Sequence, residues 1–445
     1  MVQSFPKGFL WGAATAAYQI EGAVREGGRG ESIWDRFSHT PGKVANGDTG
    51  DVACDAYHRT PGDIAIMRDL GLRAYRFSVG WSRIVPNGRG AANAEGLDYY
   101  DRLVDGLLAA GIEPWVTLYH WDMPQALEDN GGWPNRSTAD WFAEYTDIVT
   151  RRLGDRVTHW ITINEPWCVA FLGYLLGIHA PGRTDLAASL AAAHTTLLAH
   201  GHAMEVIRAN VADARAGITL NLSHVYPVGD LEQDEQAAQL ADGFLNRWFL
   251  DPVFGRGYPQ DMLDFLGEAV PEILPGDLAT MARPTDFLGI NTYQPTYANY
   301  DPNGMMGGVG MPRVAGERTA TDWIVRPEGL FDLLQRVHRD YAPAHLYITE
   351  NGSAWDDPAP VAGRVADPRR VAYLQGHLLA ARDAIAAGVP LDGYFAWSLL
   401  DNFEWAEGSS KRFGLTYVDY ATQERTIKDS GRFFAETIRA NGENL

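Results

Sequence analysis

The sequence predicts an α/β protein folded as one (β/α)8 TIM barrel over residues 1–445. Short apolar runs recur along the chain without the polar alternation of a half-exposed sheet, as expected of parallel strands buried on both faces. Each run is followed by a stretch with helical character, and no Pro- or Ser-rich linker or internal repeat divides the chain. Any active site is expected at the carboxyl ends of the strands, where barrels of this kind build them.

Eight apolar runs are the predicted strands, and they are rich in Val, Ile, Thr and aromatic residues. In chain order they are Phe9–Thr15, Leu72–Val79, Ile112–Tyr119, Val157–Ile163, Gly217–Ser223, Phe287–Tyr293, His345–Thr349 and Leu391–Ser398. Three of the intervening segments show helical periodicity and stop at a glycine: Asp63–Leu70, Leu97–Ala110 and Pro368–Ala387. Alternation of this kind favours a closed barrel over an open sheet.

The segment Gln294–Arg326 is predicted to be an irregular loop after the sixth strand. A loop of this length in a compact domain is usually functional or disordered. Its position places it on the face where barrel active sites are built.

Charge and composition argue against several partners. The formal net charge is −20, and the 37 Lys and Arg residues are scattered, so neither a nucleic acid nor an anionic membrane is an expected partner. No apolar run approaches the ~20 residues that a membrane helix needs. The first residues do not form a signal peptide, so we expect a cytoplasmic protein.

The two cysteines, Cys54 and Cys168, are too few for a disulfide framework, and reduced thiols are the favoured interpretation. Neither lies near a Cys or His at the spacing of metal ligands. Neither cysteine therefore indicates a metal site. The oligomeric state stays open.

Two predicted strands end in a carboxylate. The fourth runs into Asn164-Glu165-Pro166, and the seventh into Glu350-Asn351-Gly352. Strands four and seven lie across a barrel from each other, so Glu165 and Glu350 can converge on one bond. Glycoside hydrolysis needs such a pair, one to protonate the leaving oxygen and one to attack the anomeric carbon. Either residue alone could simply be an ordinary acid at a strand end.

Two further strand ends carry residues that fit this chemistry. Arg76, in the second strand, can hold one carboxylate ionised, as a nucleophile requires. Tyr293, at the end of the sixth strand, can donate its hydroxyl to the same carboxylate. The acid must instead stay protonated near neutral pH, which burial and a neighbouring anion achieve. Each residue also has a structural interpretation, Arg76 as an ion pair and Tyr293 as core.

Aromatic residues beside polar groups indicate a sugar site, because pyranose rings stack on indole while their hydroxyls take hydrogen bonds. The chain has 14 tryptophans, most of which are expected to be core. Those flanked by polar residues are the candidates: His120-Trp121-Asp122, Asn402-Phe403-Glu404-Trp405, and Trp397 at a strand end. Gln19 and Glu21 form a third polar set beside the first strand.

These motifs, together with Phe5–Gly22 near the start and Lys411–Asp419 near the end, resemble the family 1 glycoside hydrolases and within them the bacterial β-glucosidases. The resemblance covers nearly the whole chain. It implies a retaining β-glucosidase that releases glucose from the non-reducing end of small β-glucosides and cello-oligosaccharides through a covalent glycosyl-enzyme. No metal and no cofactor are expected for this reaction.

The resemblance also implies roles for single residues. Glu165 is expected to be the acid/base, Glu350 the nucleophile, and Arg76, Asn291 and Tyr293 their support. Trp397 is expected beneath the sugar ring, and Trp323 on the aglycone side. The remaining substrate-binding residues are expected to be Gln19, His120, Trp121, Asn164, Tyr293, Glu404, Trp405 and Phe413.

The sequence departs from the family pattern in two places. Members often have two tyrosines after the sixth-strand Asn, whereas this chain has Asn291-Thr292-Tyr293, which affects only fine aglycone contacts. Ala56 replaces a common histidine, with no functional consequence that we can argue.

Three alternatives compete with a retaining β-glucosidase. A 6-phospho-β-glycosidase would carry phosphate-binding residues in place of Glu404, Trp405 and Phe413. A plant-type thioglucosidase replaces the acid/base with Gln, and a non-catalytic sugar-binding barrel loses one carboxylate. Glu165 and Glu350 are both present and argue against the last two. The natural aglycone, the tolerance for galactosides or fucosides and the extent of transglycosylation are left open.

Overall fold

The computed structural model describes residues 4–445 and contains a closed barrel of eight parallel strands. In chain order the barrel strands are β1 (Leu10–Ala14), β2 (Ala74–Ser78), β3 (Glu113–Tyr119), β4 (His159–Asn164), β5 (Arg215–Asn221), β6 (Phe287–Asn291), β7 (Leu346–Asn351) and β8 (Leu391–Trp397). β1 pairs with β2 on one side and with β8 on the other, which closes the sheet. The predicted (β/α)8 barrel is confirmed. The first three residues of the domain predicted over 1–445 lie outside the described part.

Each predicted apolar run overlaps one barrel strand, and the ends differ by at most two residues. The small differences matter at two places. Glu350 is the fifth residue of β7 rather than the residue after it, and Tyr293 lies two residues beyond β6. The main chain of Glu350 is therefore held within the barrel sheet.

Helices follow the strands in regular alternation. The longer ones are Ala56–Leu70, Ala94–Ala109, Ser137–Leu153, Leu186–Asn210, Glu232–Asp242, Glu328–Tyr341, Pro368–Ala386 and Asp429–Arg439. Shorter α-helices are Ala17–Ile20, Ile33–Ser38, Trp81–Ile84, Gln125–Glu128, Trp248–Val253, Gln260–Leu266 and Asp277–Met281, and Cys168–Leu175 and Gly243–Arg247 are π-helical. Short 3-10 helices span Ala45–Gly47, Gly267–Ala269 and Trp405–Ser410. The helix expected over Leu97–Ala110 begins three residues earlier and ends one residue earlier.

Aromatic side chains fill part of the barrel interior. The ring of Trp115 in β3 lies 5.3 Å from that of Phe287 in β6, 4.7 Å from Tyr347 in β7 and 5.1 Å from Phe395 in β8. Phe395 leaves no room for a side chain on β1, where a Cβ at Gly12 would lie 2.4 Å from its ring. Dense packing inside the barrel gives the polar residues at the carboxyl ends a rigid base.

The segment Gln294–Arg326 is not the irregular loop that the sequence predicts. It contains the strands Thr296–Met305 and Val309–Gly310, which form a small sheet with Val225–Pro227. The pairing of Thr296 with Val225 is parallel and joins residues far apart in the chain, so local patterns could not indicate it. A second small sheet joins Thr416–Val418 and Arg425–Ile427.

Both cysteines are buried and free. Among residues 4–445, no helix is long and apolar enough to cross a membrane, and no group of ligand-type side chains could hold a metal ion.

Candidate active site

Glu165 and Glu350 lie at the carboxyl ends of β4 and β7 and face one cavity of about 660 Å³. Glu165 directly follows β4 with a positive φ of 49°, a conformation that non-glycine residues adopt mainly where the surroundings impose it. Its amide N–H donates to the Thr219 carbonyl of β5 at 2.9 Å, which fixes the turn. The two residues are 5% and 3% exposed, so both carboxyl groups are largely removed from water.

Glu350 is surrounded by donors. Arg76 Nη1 donates to Oε1 at 2.6 Å, and the Tyr293 hydroxyl donates to Oε2 at 2.5 Å. Burial raises the pKa of Glu350, and Arg76 and Tyr293 oppose that rise because they stabilise the anion. The contacts that the sequence predicts for Arg76 and Tyr293 are both present. This carboxyl group has a charged partner on one oxygen and a neutral donor on the other.

Glu165 lacks a cationic hydrogen-bond partner. Asn291 Nδ2 donates to its Oε1 at 2.5 Å, and the Cys168 thiol donates to its Oε2 at 2.9 Å. Burial and the neighbouring Glu350 raise the pKa of Glu165 to about 7. The pair therefore consists of one carboxyl group beside a guanidinium and one that holds its proton near neutral pH.

A hydrogen-bond network couples the two acids. The Asn164 side-chain oxygen accepts from Arg76 Nη2 at 2.6 Å and from Asn291 Nδ2 at 3.0 Å. Arg76 also donates to the Thr349 carbonyl at 3.1 Å, beside Glu350. Asn164 and Arg76 thus orient the acids from beneath and do not line the cavity itself.

Glu404 is a third carboxyl group in the same cavity. Gln19 Nε2 donates to its Oε2 at 3.3 Å and also to the Asn402 side chain and the Phe403 carbonyl. Burial, Glu350 and Glu165 raise the pKa of Glu404 to about 8. Arg76, which is bonded to Glu350, is the only cation bonded to these three acids among the described residues, and the cavity lining contains no Lys or Arg, so no cationic side chain is left to pair with an anionic ligand.

Two of the predicted substrate-binding residues each have a buried polar atom with no protein partner within residues 4–445. They are Gln19 Oε1 and His120 Nδ1. The Asn164 side-chain oxygen accepts from Arg76, so the atom that faces His120 is the Asn164 amide nitrogen, which donates to His120 Nε2 at 3.0 Å. Because Nε2 accepts, the ring proton of His120 is on Nδ1. Burial and Arg76 hold the pKa of His120 well below its usual range, so the ring is neutral. One free acceptor and one free donor suit a hydroxyl-rich ligand.

Aromatic rings form the walls. His120 stacks near Trp397 and Trp405, with centroids 5.9 Å away in both cases. Trp121 lies 4.6 Å from Trp405, and its indole N–H donates to the Asn164 carbonyl at 2.9 Å. On the other side of the cavity, Trp323 lies 5.0 Å from Tyr293 and 5.8 Å from Phe413.

The structure brings the predicted site residues together. Those expected to act in catalysis or substrate binding all line the cavity except Gln19, Arg76 and Asn164, which contact lining residues instead. Glu21, which the sequence groups with Gln19, does not line it, and its carboxylate accepts hydrogen bonds from Arg83 and Tyr100. Sequence reasoning missed several further lining residues: Trp167, Cys168, Leu172, Ile178, His179, Asn221, Leu245, Gln294 and Thr321. Trp167 and Cys168 directly follow the Asn-Glu-Pro motif and could have been found by proximity. Asn221 is the last residue of β5 and could have been found by the strand-end reasoning used for the two acids. The others lie on segments that carry no such signal.

Comparison with known proteins agrees with this geometry. The chain matches Glycosyl hydrolase family 1 over residues 1–443. It is 49% identical to "Beta-glucosidase A" of Thermotoga maritima, with 99% of each chain covered, and 49% identical to "Beta-glucosidase A" of Acetivibrio thermocellus, with the same coverage. The structure of the Thermotoga maritima β-glucosidase in complex with deoxynojirimycin superposes with a TM-score of 0.97 at 49% identity, covering 99% of both chains. The cavity with its buried acids and the match along almost the whole chain lead to one conclusion: this protein belongs to glycosyl hydrolase family 1.

Proposed function

We propose that Glu350 is the nucleophile and Glu165 the acid/base of a double displacement. The chain is a retaining β-glucosidase that hydrolyses terminal non-reducing β-D-glucosyl residues. One observation carries the assignment of roles. The two carboxyl groups face one cavity but have different partners. Glu350 accepts hydrogen bonds from Arg76 and Tyr293, whereas the donors to Glu165 are uncharged.

In the first step Glu350 attacks the anomeric carbon while Glu165 gives its proton to the departing glycosidic oxygen. Arg76 and Tyr293 hold Glu350 ionised and aimed, and a pKa of about 7 leaves Glu165 protonated at mildly acid pH. The products are a free alcohol and a glucosyl ester on Glu350. Loss of the Glu350 charge then removes the repulsion that helps to hold the proton on Glu165.

In the second step the ionised Glu165 takes a proton from water, and the oxygen attacks the same anomeric carbon. The ester breaks, glucose leaves with its original β configuration, and Glu165 is protonated again. Asn291 can hold the same oxygen of Glu165 in both steps, because its amide donates to the neutral and to the ionised carboxyl group.

The sugar is held by the polar residues around Glu404. Its carboxyl group and the free Gln19 acceptor and His120 donor suit adjacent hydroxyls, and Trp397 and Trp405 offer faces for the ring. Trp323 and Phe413 contact Tyr293 at the nucleophile side, so we place the leaving group toward Trp323.

The substrates are small β-glucosides and cello-oligosaccharides. This proposal is supported by a relative named "1,4-beta-D-glucan glucohydrolase" from Thermotoga neapolitana, 48% identical over 99% of the chain. A relative from Bifidobacterium breve, 46% identical, is named "Bifunctional beta-D-glucosidase/beta-D-fucosidase", which makes fucosides worth including in a substrate panel.

The 6-phospho alternative is disfavoured by charge. A phosphate near Glu404 would enter a cavity whose lining has no Lys or Arg to pair with it, because Arg76 is already bonded to Glu350. The thioglucosidase and the non-catalytic barrel are disfavoured because both acids are present and buried in one cavity.

We also propose that residues 1–445 act as one catalytic domain. β1, near one end of the chain, pairs with β8, near the other, so neither half can close the barrel alone. Thermal unfolding followed by circular dichroism and by activity should give coincident single transitions. Two separate transitions would contradict a single domain.

The proposed mechanism is tested by the configuration of the first product. Proton NMR recorded within seconds of mixing should show β-glucose before α-glucose forms by mutarotation. Initial release of α-glucose would refute the double displacement.

A further inference from the structure

The thiol of Cys168 is a contact of the catalytic pair that neither composition nor motif assigns. It begins the π-helix Cys168–Leu175 and lies three residues after Glu165. Val169 N–H donates to the Glu165 carbonyl at 3.2 Å, so the backbone joins the acid directly to this helix. Cys168 is 8% exposed and lines the cavity. A buried thiol is often a small apolar filler, so its contacts decide whether it does more.

The contact is specific. Cys168 Sγ lies 2.9 Å from Glu165 Oε2, and Asn291 occupies Oε1, so each oxygen of the acid has one protein donor. Burial and the adjacent Glu165 raise the thiol pKa well above its usual range. Cys168 therefore remains a protonated S–H donor and does not become a competing anion.

We propose that Cys168 is a positioning residue that stabilises the ionised form of Glu165 by donating its S–H to Oε2. The proposal rests on the assignment of Glu165 as acid/base. Without the thiol, the basic form needed for the second step loses one of its two protein donors. With it, Glu165 can be protonated for the first step and ionised for the second within the same pH range.

Other groups also act on Glu165 and must be kept constant. Glu350 from β7 and Glu404 from the segment after β8 repel its charge, and Arg76 from β2 attracts it. Tyr293 and His120 face the same cavity as neutral groups. None of these is altered by a substitution at Cys168, so a change in the titration of Glu165 would report the thiol.

The test uses a matched pair of variants, Cys168→Ser and Cys168→Ala. Both remove the sulfur, and they differ only in whether a donor remains. The kcat/KM profile is measured with an alkyl β-glucoside, whose leaving oxygen needs protonation. Its basic limb should lie about 0.5 to 1 pH unit higher in the Ala variant than in the Ser variant. The acidic limb of kcat for an activated aryl glucoside, where breakdown of the ester is slow, should move in the same direction.

Cys168→Val, which fills the volume without a donor, should behave like Ala even if the smaller variant folds poorly. Cys54→Ser is the matched control, because Cys54 is also buried but donates to the Asp401 carbonyl at 3.0 Å and does not touch Glu165. It should leave the basic limb unchanged. A purely structural role would lower activity equally in the Ser and Ala variants and leave both limbs where they are.

The outcomes separate this proposal from the one on which it rests. If Glu165→Gln still shows the basic limb, Glu165 is not the acid. Suppose instead that Glu165→Gln abolishes the basic limb, while the Ser, Ala and Val variants of Cys168 all keep it at the wild-type pH. Glu165 then keeps its role, and the positioning role of Cys168 is refuted.

Discussion

Replacing Tyr293 with phenylalanine removes one hydrogen bond to Glu350 and keeps the ring. The hydroxyl donates to Oε2 at 2.5 Å, whereas Arg76 donates to Oε1 at 2.6 Å and remains in the variant. A hydrogen bond to a charged group contributes about 1.5 to 3 kcal/mol, and one pH unit corresponds to about 1.4 kcal/mol. The pKa of Glu350 should therefore rise by about one to two pH units.

The sign follows from the role of Glu350. A nucleophile must be ionised, so the acidic limb of kcat/KM should move to higher pH by the same amount. At a pH below both limbs the variant should be about 10- to 100-fold slower than the wild type, with a smaller loss on the plateau. The assay is the pH profile of kcat/KM for an aryl β-glucoside.

Tyr145→Phe is the matched control. Tyr145 is buried and donates to the carbonyls of Val79 and Leu118 at 3.0 Å each, away from the cavity lining. This variant should lose stability without moving the acidic limb. If the limb is the same in Tyr293→Phe as in the wild type, the hydrogen bond does not set the ionisation of Glu350, and the reasoning fails.

Three further predictions concern the other two acids. Glu165→Gln should slow alkyl glucosides far more than activated phenyl glucosides, and the latter should show a burst; equal losses without a burst would contradict the acid role. Glu404→Ser should lower kcat/KM for a simple β-glucoside by about a hundredfold or more, and the wild type should reject 6-phosphoglucosides by about a thousandfold; efficient cleavage of a 6-phosphate would contradict the charge argument. Because burial raises the pKa of Glu404 to about 8, the folded state loses stability as pH rises from the unfolded value toward 8. Glu404→Gln should therefore raise the melting temperature, more at alkaline than at acid pH, and an equal change at both would refute the shifted titration.

The sequence predicts the barrel well because its signal is local. Apolar runs without alternation mark strands that are buried on both faces, and a residue at the carboxyl end of such a run must lie near the barrel mouth. That reasoning brings Arg76, Glu165 and Glu350 to one site from the sequence alone, whereas Asn291 is expected there only from the family resemblance.

Contacts that depend on distant segments cannot be predicted in this way. The strand Thr296–Met305 begins by pairing with the distant segment Val225–Pro227 and continues by pairing with Val309–Gly310, and the first of these pairings has no local signal. His179 and Ile178 reach the cavity from a loop whose path is set by packing against Trp34 and Trp121. Such positions carry no periodic pattern of their own.

The electrostatics of the site is equally hidden in the sequence. The sequence presents Glu404 as an ordinary carboxylate that accepts hydrogen bonds from hydroxyls, whereas its burial beside Glu165 and Glu350 raises its pKa to about 8. Cys168 likewise counts as a reduced thiol in the sequence, and only the folded chain places its sulfur on Glu165. The size of a pKa shift depends on burial and on neighbours from other strands, which local patterns do not contain.

The covalent intermediate is the most direct test of the central claim. A 2-deoxy-2-fluoro-β-glucoside with a good leaving group should inactivate the enzyme. The fluorine slows both formation and breakdown of the glycosyl ester, whereas the good leaving group speeds only its formation, so the ester accumulates. Mass spectrometry of the peptides from the inactivated protein should show one fluoroglucosyl group, attached to Glu350. A label on Glu165 or Glu404, or steady turnover with no label on any peptide, would contradict the account.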